Sequence, residues 1–266
     1  MESRGITEQV AVTLPGNPSV VGPWPLCYNR PMACTQLRPL GADDLVVSDF
    51  DGTISVVDTS LAVIEALRLD AAWDAEMVWR RGEISSMECL RRQWGLVQLP
   101  EDRLYSLLDS LEVDPDFLAF LAFIRERGAG LVVLSDGLDF YIDRMLDDLG
   151  LQTTTDDAHL RGCGPVLRFA NRATVTPQGI EVDFPYANFC GQCGNCKTEH
   201  FFRLRRGFRR TIYLGDGHSD LCVARFADVV FAKDALAEDC ARCGRTCYPF
   251  HGLADVMQAL GAPSHS

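Results

Sequence analysis

The sequence predicts an α/β protein with a parallel β-sheet whose two faces are covered by helices. Three short apolar runs, 45–48, 131–134 and 211–214, have the length and composition of buried strands. Segments with the apolar spacing of helices separate them, as parallel strands joined by crossover connections require. Because ligands of such sheets bind outside the carboxyl ends of the strands, the residues that follow the three runs are the candidate site.

Carboxylates and other polar residues follow all three runs. Two aspartates two residues apart could divide a phosphoryl-transfer reaction, one attacking phosphorus and the other handling a proton. Their combined charge favours a hard cation such as Mg²⁺. The three segments are Asp49-Phe50-Asp51-Gly52-Thr53, Ser135-Asp136-Gly137 and Gly215-Asp216-Gly217-His218-Ser219-Asp220, and Lys197 lies between the last two.

These residues resemble, in order, the four motifs of the haloacid dehalogenase (HAD) superfamily. In having an acid at the position of Asp51, the sequence resembles the phosphatases and phosphomutases of that superfamily, and it differs from the ion pumps and dehalogenases. The resemblance implies a Rossmann-like parallel sheet core and a phosphomonoester hydrolase that forms an aspartyl-phosphate. It spans about residues 43–259 and is carried by Asp49-x-Asp51-Gly52-Thr53, Ser135, Lys197 and Gly215-Asp216-x-x-x-Asp220.

The same resemblance implies a role for each motif residue. Asp49 would be the nucleophile, and Asp51 would be the general acid and base, with a pKa raised by the neighbouring Asp49. Mg²⁺ would be held by Asp49, Asp216 and the backbone carbonyl of Asp51, and Asp220 would help to hold that metal site. The residues expected to bind the phosphoryl oxygens are Thr53, Ser135 and Lys197.

A block of helical spacing, 59–112, lies between the first and second motifs. It resembles the small helical cap of phosphoserine-phosphatase-like members, which leaves 41–58 and 113–266 as the α/β core. A small cap that closes over Asp49 implies a small substrate. The tryptophans Trp73, Trp79 and Trp94 are predicted to form the interior of the cap.

The rest of the core is predicted from periodicity and turn residues. Gly128 and Gly150 are placed to end two helices. A turn at 177–179 predicts a β-hairpin between two extended runs. The predicted helices are 117–124, 140–149, 220–226, 235–241 and 253–260, and the predicted extended segments are 166–169, 180–184 and 229–232.

Composition limits the partners. Residues 1–40 contain six prolines and little periodicity, which predicts a flexible extension. The formal net charge of −12 disfavours nucleic acid and anionic membranes as partners, so a phosphorylated metabolite would have to be drawn by the metal and Lys197. Without a run of about 18 apolar residues or a secretion signal, the chain is expected to be soluble and cytoplasmic.

Within the superfamily, the sequence most resembles the phosphatases of 2-hydroxy-3-keto-5-methylthiopentenyl-1-phosphate, the enol phosphate of methionine salvage. The sequence differs from that group at Asp136, where the group usually has glycine. The Ser135-Asp136 pair is instead similar to that of phosphocholine and phosphoethanolamine phosphatases. Asp58 and Arg92 (or Arg91) correspond to substrate-binding positions of phosphoserine phosphatases, and His218 is a further candidate. A phosphomutase, and a ligand- or metal-binding module that has lost catalysis, remain open as alternatives.

Eleven cysteines raise the question of a structural metal. Cys190, Cys193 and Cys196 have the C-x2-C spacing of zinc ligands, and Cys240, Cys243 and Cys247 form a second set. An odd number of cysteines without a secretion signal favours reduced thiols over disulfides. Packed thiols are therefore preferred here to a structural Zn²⁺ site.

Overall fold

The computed structural model describes residues 37–176 and 179–261. The predicted flexible extension falls almost entirely outside these ranges, as do Pro177 and Gln178 of the predicted turn. No helix within the described ranges is long and apolar enough to cross a membrane.

The predicted parallel sheet is confirmed. Its strand order is β3-β4-β2-β1-β6-β7-β8, with every neighbouring pair parallel, and β5 pairs antiparallel with β4 to form the predicted hairpin. The strands are β1 (Asp44–Ser48), β2 (Gly130–Leu138), β3 (Thr153–Thr154), β4 (Val166–Thr176), β5 (Gly179–Asp183), β6 (Arg210–Gly215), β7 (Val229–Ala232) and β8 (Tyr248–Pro249).

Helices cover both faces of the sheet. They are α1 (Thr59–Ala66), α2 (Asp70–Arg80), α3 (Ser86–Gly95), α4 (Glu101–Leu108), α5 (Phe117–Glu126), α6 (Asp139–Asp147), α7 (Lys197–Leu204), α8 (Leu221–Ala224), α9 (Asp234–Arg242) and α10 (Leu253–Gly261). Short 3-10 turns lie at Asp157–His159 and His218–Asp220.

Alternate residues of the central strands enter two separate apolar clusters. Val46 and Ile212 belong to the cluster on one face, and Val47 and Tyr213 belong to the cluster on the other. All four are fully buried. A strand covered on both faces has no polar side, which explains why the central strands are continuous apolar runs in the sequence.

The register of β1 brings the three motifs to one edge. Ser48 pairs with Val133 of β2 and with Leu214 of β6. Strand β2 is longer than predicted, because it continues through Ser135 and Asp136 to Leu138, which pairs with Asn171 after a shift in register. Polar residues ended the apolar run in the sequence, but backbone pairing with β4 extends the strand.

Four helices, α1 to α4, occupy the segment between β1 and β2. Trp94 is 1% exposed and lies in their interior, whereas Trp73 is 47% exposed, contrary to the prediction. The reason is helical phase: α2 buries Ala72, Ala75 and Glu76 on one face, and Trp73 points away from it. The division of the chain into core and cap stays a prediction.

Helix ends follow the predicted glycines. Gly128 and Gly150 have φ of +67° and +74°, a conformation that glycine adopts without a steric penalty. The helix predicted at 220–226 is shorter, with a 3-10 turn before α8. Strands β3 and β8 were not predicted, because two residues carry no periodicity.

Candidate active site

A cavity of about 370 Å³ lies at the carboxyl edge of the sheet, between the motif loops and helices α2 and α3. Its core side is formed by residues that follow β1, β2 and β6, and its opposite side by the two helices. Residues of the predicted core and of the predicted cap therefore line one cavity. The polar residues that line it include Asp49, Asp51, Asp58, Glu76, Arg80, Gln93, Ser135, Asp136, Asp216 and His218.

Asp49 is buried directly after β1 and is paired with the lysine predicted to accompany it. Its Oδ1 accepts hydrogen bonds from Lys197 Nζ and from the backbone N–H of Phe50, both at 2.7 Å. No described residue donates a hydrogen bond to its Oδ2, which leaves one oxygen available to react. Burial and the charges of Asp220 and Asp216 raise the Asp49 pKa well above its usual value, and Lys197 opposes them.

Lys197 is also fully buried and is shared between two acids. Its Nζ lies 2.6 Å from Asp220 Oδ1 and 2.7 Å from Asp49 Oδ1. Burial disfavours the ammonium form, but the charges of Asp220 and Asp49 outweigh burial and raise the Lys197 pKa. A fixed positive charge therefore stands beside the predicted nucleophile.

Asp220 is occupied by four donors. Its Oδ1 accepts from Lys197 Nζ at 2.6 Å and Tyr213 OH at 2.5 Å. Its Oδ2 accepts from the backbone N–H groups of Asp216 at 3.1 Å and Gly217 at 3.0 Å. Each oxygen has thus used its in-plane lone pairs. This arrangement suits a residue that positions Lys197 and the loop after β6.

Asp216 faces Asp49 across the cavity floor. Thr53 Oγ1 donates to Asp216 Oδ1 at 3.0 Å. Gly52, at φ +68°, lies so close that a Cβ there would overlap the Asp216 carboxylate. Burial and the charge of Asp220 raise the Asp216 pKa to about 7. The Thr53 hydroxyl is thus engaged by a carboxylate, and phosphate binding by Thr53, through its hydroxyl or its backbone, stays a prediction.

The acids after β1 and β6 form the one metal-ligand cluster among the described residues. Oxygen atoms of Asp49, Asp216 and Asp220 lie within 4.8 Å of one another. Buried carboxylates that raise one another's pKa are electrostatically suited to a cation, and an all-oxygen donor set suits Mg²⁺. Since Asp220 is already saturated, the carboxylates of Asp49 and Asp216 are the better candidates for direct ligands.

Asp51, two residues after the predicted nucleophile, accepts hydrogen bonds from three donors. Its Oδ2 accepts from Ser135 Oγ at 3.0 Å and Tyr141 OH at 2.9 Å, and its Oδ1 accepts from Thr59 N at 3.2 Å. Its pKa is raised, as expected for a general acid, but the cause is burial rather than the charge of Asp49. The expected cause was therefore wrong, while the direction was right.

Tyr141 was missed by the sequence analysis. It is fully buried on α6 and stacks on Trp94 of α3, with ring centroids 6.0 Å apart. Gly137 has room for no side chain, because a Cβ there would overlap the Tyr141 hydroxyl and Asp51 Oδ2. Asp51 is thus held by contacts from two helices, through Thr59 N of α1 and Tyr141 OH of α6.

Ser135 and Asp136 are held by asparagines. Asn195 Nδ2 donates to Ser135 O at 2.8 Å, and Asn195 N donates to Asp136 Oδ1 at 2.8 Å. Asn171 Nδ2 lies 3.2 Å from the same Asp136 oxygen. Asp136 lines the cavity as predicted, but with partners that tie β2 to the loop before Lys197.

The remaining predicted substrate residues are placed differently from one another. Asp58 lines the cavity and caps α1 by accepting from Leu61 N at 2.9 Å; burial and the charge of Asp51 raise its pKa to about 8. His218 also lines the cavity and is bonded to Asp239 Oδ2 at 2.9 Å. Arg92 is not brought to the site: it is 49% exposed and pairs with Glu88.

The alternative arginine and the cysteines lie elsewhere. The Arg91 guanidinium packs over the Phe184 ring at 4.7 Å. Cys190 is exposed, Cys193 half-buried and Cys196 buried, and within the described ranges they do not form a cluster of three or more metal ligands. The preference for packed thiols over a structural Zn²⁺ site stays a prediction, which elemental analysis of the purified protein would test.

Comparison with known proteins agrees with this geometry. The family model of haloacid dehalogenase-like hydrolases matches residues 46–225, more than half of the chain. A 2-hydroxy-3-keto-5-methylthiopentenyl-1-phosphate phosphatase of Geobacillus kaustophilus is 30% identical over 80% of this chain and 93% of its own. The phosphatase of the same name from Bacillus velezensis is 25% identical over 81% and 89%.

Solved structures resemble the chain at the level of fold. A phosphoserine phosphatase, determined as an analogue of its phospho-aspartyl intermediate, has a TM-score of 0.61 and 17% identity, covering 84% of this chain and 99% of that one. This likeness confirms the predicted α/β architecture.

Proposed function

Because this chain belongs to the haloacid dehalogenase-like hydrolases, we propose that it hydrolyses a small phosphate monoester through an aspartyl-phosphate on Asp49. The observation that carries the proposal is the pair of differently placed acids after β1. Asp49 Oδ1 is fixed by a buried lysine, and Oδ2 accepts no hydrogen bond from residues 37–176 or 179–261. Asp51 is buried beside it with a raised pKa. One acid is thus arranged to attack and the other to hold a proton.

The two half-reactions follow from these positions. Asp49 Oδ2 attacks phosphorus, the ester bond breaks, and Asp51 gives its proton to the departing oxygen. Asp51 then accepts a proton from the water that attacks the aspartyl-phosphate, which releases phosphate and restores both acids. Lys197 and Ser135 hold the phosphoryl oxygens during both steps. Mg²⁺, when bound, supplies positive charge that stabilises the transferring phosphoryl group.

We assign the metal to Asp49, Asp216 and the backbone carbonyl of Asp51, with Asp220 as a positioning residue. Four donors already satisfy Asp220, whereas in the described part of the chain the Asp216 carboxylate accepts a hydrogen bond from Thr53 alone. Burial, and after it the charge of Asp220, raise the Asp216 pKa, and a cation at this cluster would offset both by stabilising the carboxylate. Protons compete with the cation for Asp216, so metal affinity should fall as the pH is lowered through about 7.

Removal of the metal should abolish turnover, and Mg²⁺ should restore it. Saturating Mg²⁺ should also raise the Tm by about 5–10 °C, since a ligand at a hundred times its Kd adds about 2.7 kcal/mol. Asp216→Asn should lose most of this thermal shift. Full activity after exhaustive EDTA treatment, or an undiminished shift in Asp216→Asn, would contradict the assignment.

We further propose that 59–112 acts as a cap over the core and that the substrate is the methionine-salvage enol phosphate. The relatives at 25–30% identity carry that activity in their names. The cavity of about 370 Å³ suits a metabolite and not a macromolecule. Asp136, whose carboxylate is held by Asn195 and Asn171, gives less support to phosphocholine or phosphoethanolamine as the substrate.

A substrate panel tests this choice. We expect 2-hydroxy-3-keto-5-methylthiopentenyl-1-phosphate to exceed phosphoserine, phosphocholine and phosphoethanolamine in kcat/KM by at least about tenfold, or about 1.4 kcal/mol of transition-state binding. A higher kcat/KM for phosphocholine would instead favour the phosphocholine and phosphoethanolamine phosphatases and would make Asp136 the next residue to mutate. Activity on phosphoproteins alone would contradict the small-cavity argument.

A further inference from the structure

The side of the cavity opposite Asp49 is built from one face each of α2 and α3. Helix α2 contributes Glu76, Trp79 and Arg80, at spacings of three and four residues. Helix α3 contributes Ser86, Cys89, Leu90 and Gln93, again at helical spacing. We call these seven residues the roof of the cavity. The roof faces the position that the leaving group of a phosphate ester on Asp49 would occupy.

Glu76 anchors the polar part of the roof. It is only 5% exposed, and its two oxygens accept from different donors. Arg80 Nε donates to Oε1 at 2.7 Å, and Gln93 Nε2 donates to Oε2 at 3.0 Å. The Cys89 thiol lies 3.8 Å from the same Oε2. A buried carboxylate without such partners would be costly, so Glu76 binds Arg80 firmly.

Arg80 is fixed through one nitrogen and keeps the others available. Its two terminal nitrogens donate to no other residue in the described part of the chain, although Arg80 lines the cavity. The charge of Arg80 also reaches His218 on the opposite side of the cavity. Burial lowers the His218 pKa most, and the charge of Arg80 is the next largest cause. The Arg80 side chain is 42% exposed, and Glu76 holds its Nε at the cavity, so the remaining guanidinium N–H groups can bind an oxygen acceptor there.

We propose that Arg80 is a specificity-determining residue that binds an oxygen acceptor on the leaving group, such as a carbonyl, enolate or hydroxyl oxygen. The proposal rests on the phosphatase function, because the roof has this role only if a phosphate ester sits on Asp49. It selects polyoxygenated leaving groups and disfavours cationic ones. Glu76 attracts no ammonium group, because Arg80 already balances its charge.

The test compares three esters across matched variants. The ester of methionine salvage offers hydroxyl and keto oxygens, phenyl phosphate offers no acceptor beyond its ester, and phosphocholine presents a fixed cation. Arg80→Met removes the N–H donors and keeps an unbranched side chain, and Arg80→Lys keeps the positive charge but lacks the forked donors of the guanidinium. Arg81→Met is the control, because Arg81 is the next residue and also pairs with a glutamate, Glu83, but does not line the cavity.

Arg80→Met should lower kcat/KM for the hydroxy-keto ester about thirtyfold, mainly through KM, which is about 2 kcal/mol at 1.4 kcal/mol per factor of ten. Phenyl phosphate should change by less than about threefold, and phosphocholine should improve relative to both. Arg80→Lys should fall between wild type and Arg80→Met. Arg81→Met should match wild type on all three esters.

Should Arg80→Met prove unstable, Glu76→Gln with Arg80→Met leaves no unpaired buried charge and should show the same selectivity.

Three results would overturn the role of Arg80 while leaving the phosphatase intact. The first is an equal loss on phenyl phosphate in Arg80→Met, which would mean that Arg80 only supports the structure. The second is an unchanged kcat/KM of Arg80→Met for the hydroxy-keto ester, and the third is a preference of wild type for phosphocholine over that ester. If wild type hydrolysed none of the three esters in the presence of Mg²⁺, the proposed phosphatase function would itself fail, and the role of Arg80 with it.

Discussion

Asp49→Asn should lower phosphatase turnover by about four orders of magnitude or more, because an amide oxygen is a poor nucleophile and no other carboxylate occupies its place. The fold should persist. The change is nearly isosteric, and burial together with Asp220 and Asp216 already disfavours the charged form of Asp49. Lys197 keeps its contact with Asp220. We expect the Tm to change by no more than about 4 °C.

Asp43→Asn is the matched control for this variant. Asp43 is an exposed aspartate at the amino end of β1, the end opposite the site. Its substitution should leave kcat and Tm close to wild type. An Asp49→Asn protein that retained more than a tenth of wild-type turnover would refute the nucleophile assignment.

Asp51→Asn should separate the two half-reactions. An alkyl phosphate needs a proton on its leaving oxygen, so we expect a loss of about 10²–10⁴-fold from this source. p-Nitrophenyl phosphate has a good leaving group and should still phosphorylate Asp49. Its product should therefore appear as a burst followed by slow turnover, because the attacking water lacks its base.

The contrast between leaving groups is the informative part of that experiment. Equal losses for p-nitrophenyl phosphate and an alkyl phosphate, without a burst, would contradict the acid role of Asp51. Burial raises the pKa of the Asp51 carboxyl, whereas the asparagine amide has no proton to give in this range, so the variant removes the acid while Ser135, Tyr141 and Thr59 still surround the side chain.

The sequence alone located the core of the site, for a topological reason. Asp49, Ser135 and Asp216 each follow an apolar run, and parallel strands bring their carboxyl ends to one edge whatever the loops between them do. The phosphate-binding role of Lys197 was assigned only through the resemblance to a known family, because a single lysine at the start of a helix has no signal of its own.

The parts that were missed depend on how distant elements pack. Tyr141 reaches Asp51 because α6 starts directly after β2, and Arg80 reaches the cavity because α2 turns that face inward. Both arrangements are matters of helical phase, which also explains why Trp73 is exposed and Trp94 buried. Arg92 was expected near the substrate, but Gln93, one residue later, lines the cavity and Arg92 does not.

The most direct test of the account is the mass of the phosphorylated protein. Asp51→Asn should be mixed with p-nitrophenyl phosphate, quenched in acid during the slow phase, digested and analysed by mass spectrometry. The peptide that contains Asp49 should gain one phosphoryl group, and it should not in the Asp49→Asn, Asp51→Asn double variant. Phosphate on any other residue, or a burst without phosphorylation of this peptide, would contradict a mechanism through Asp49.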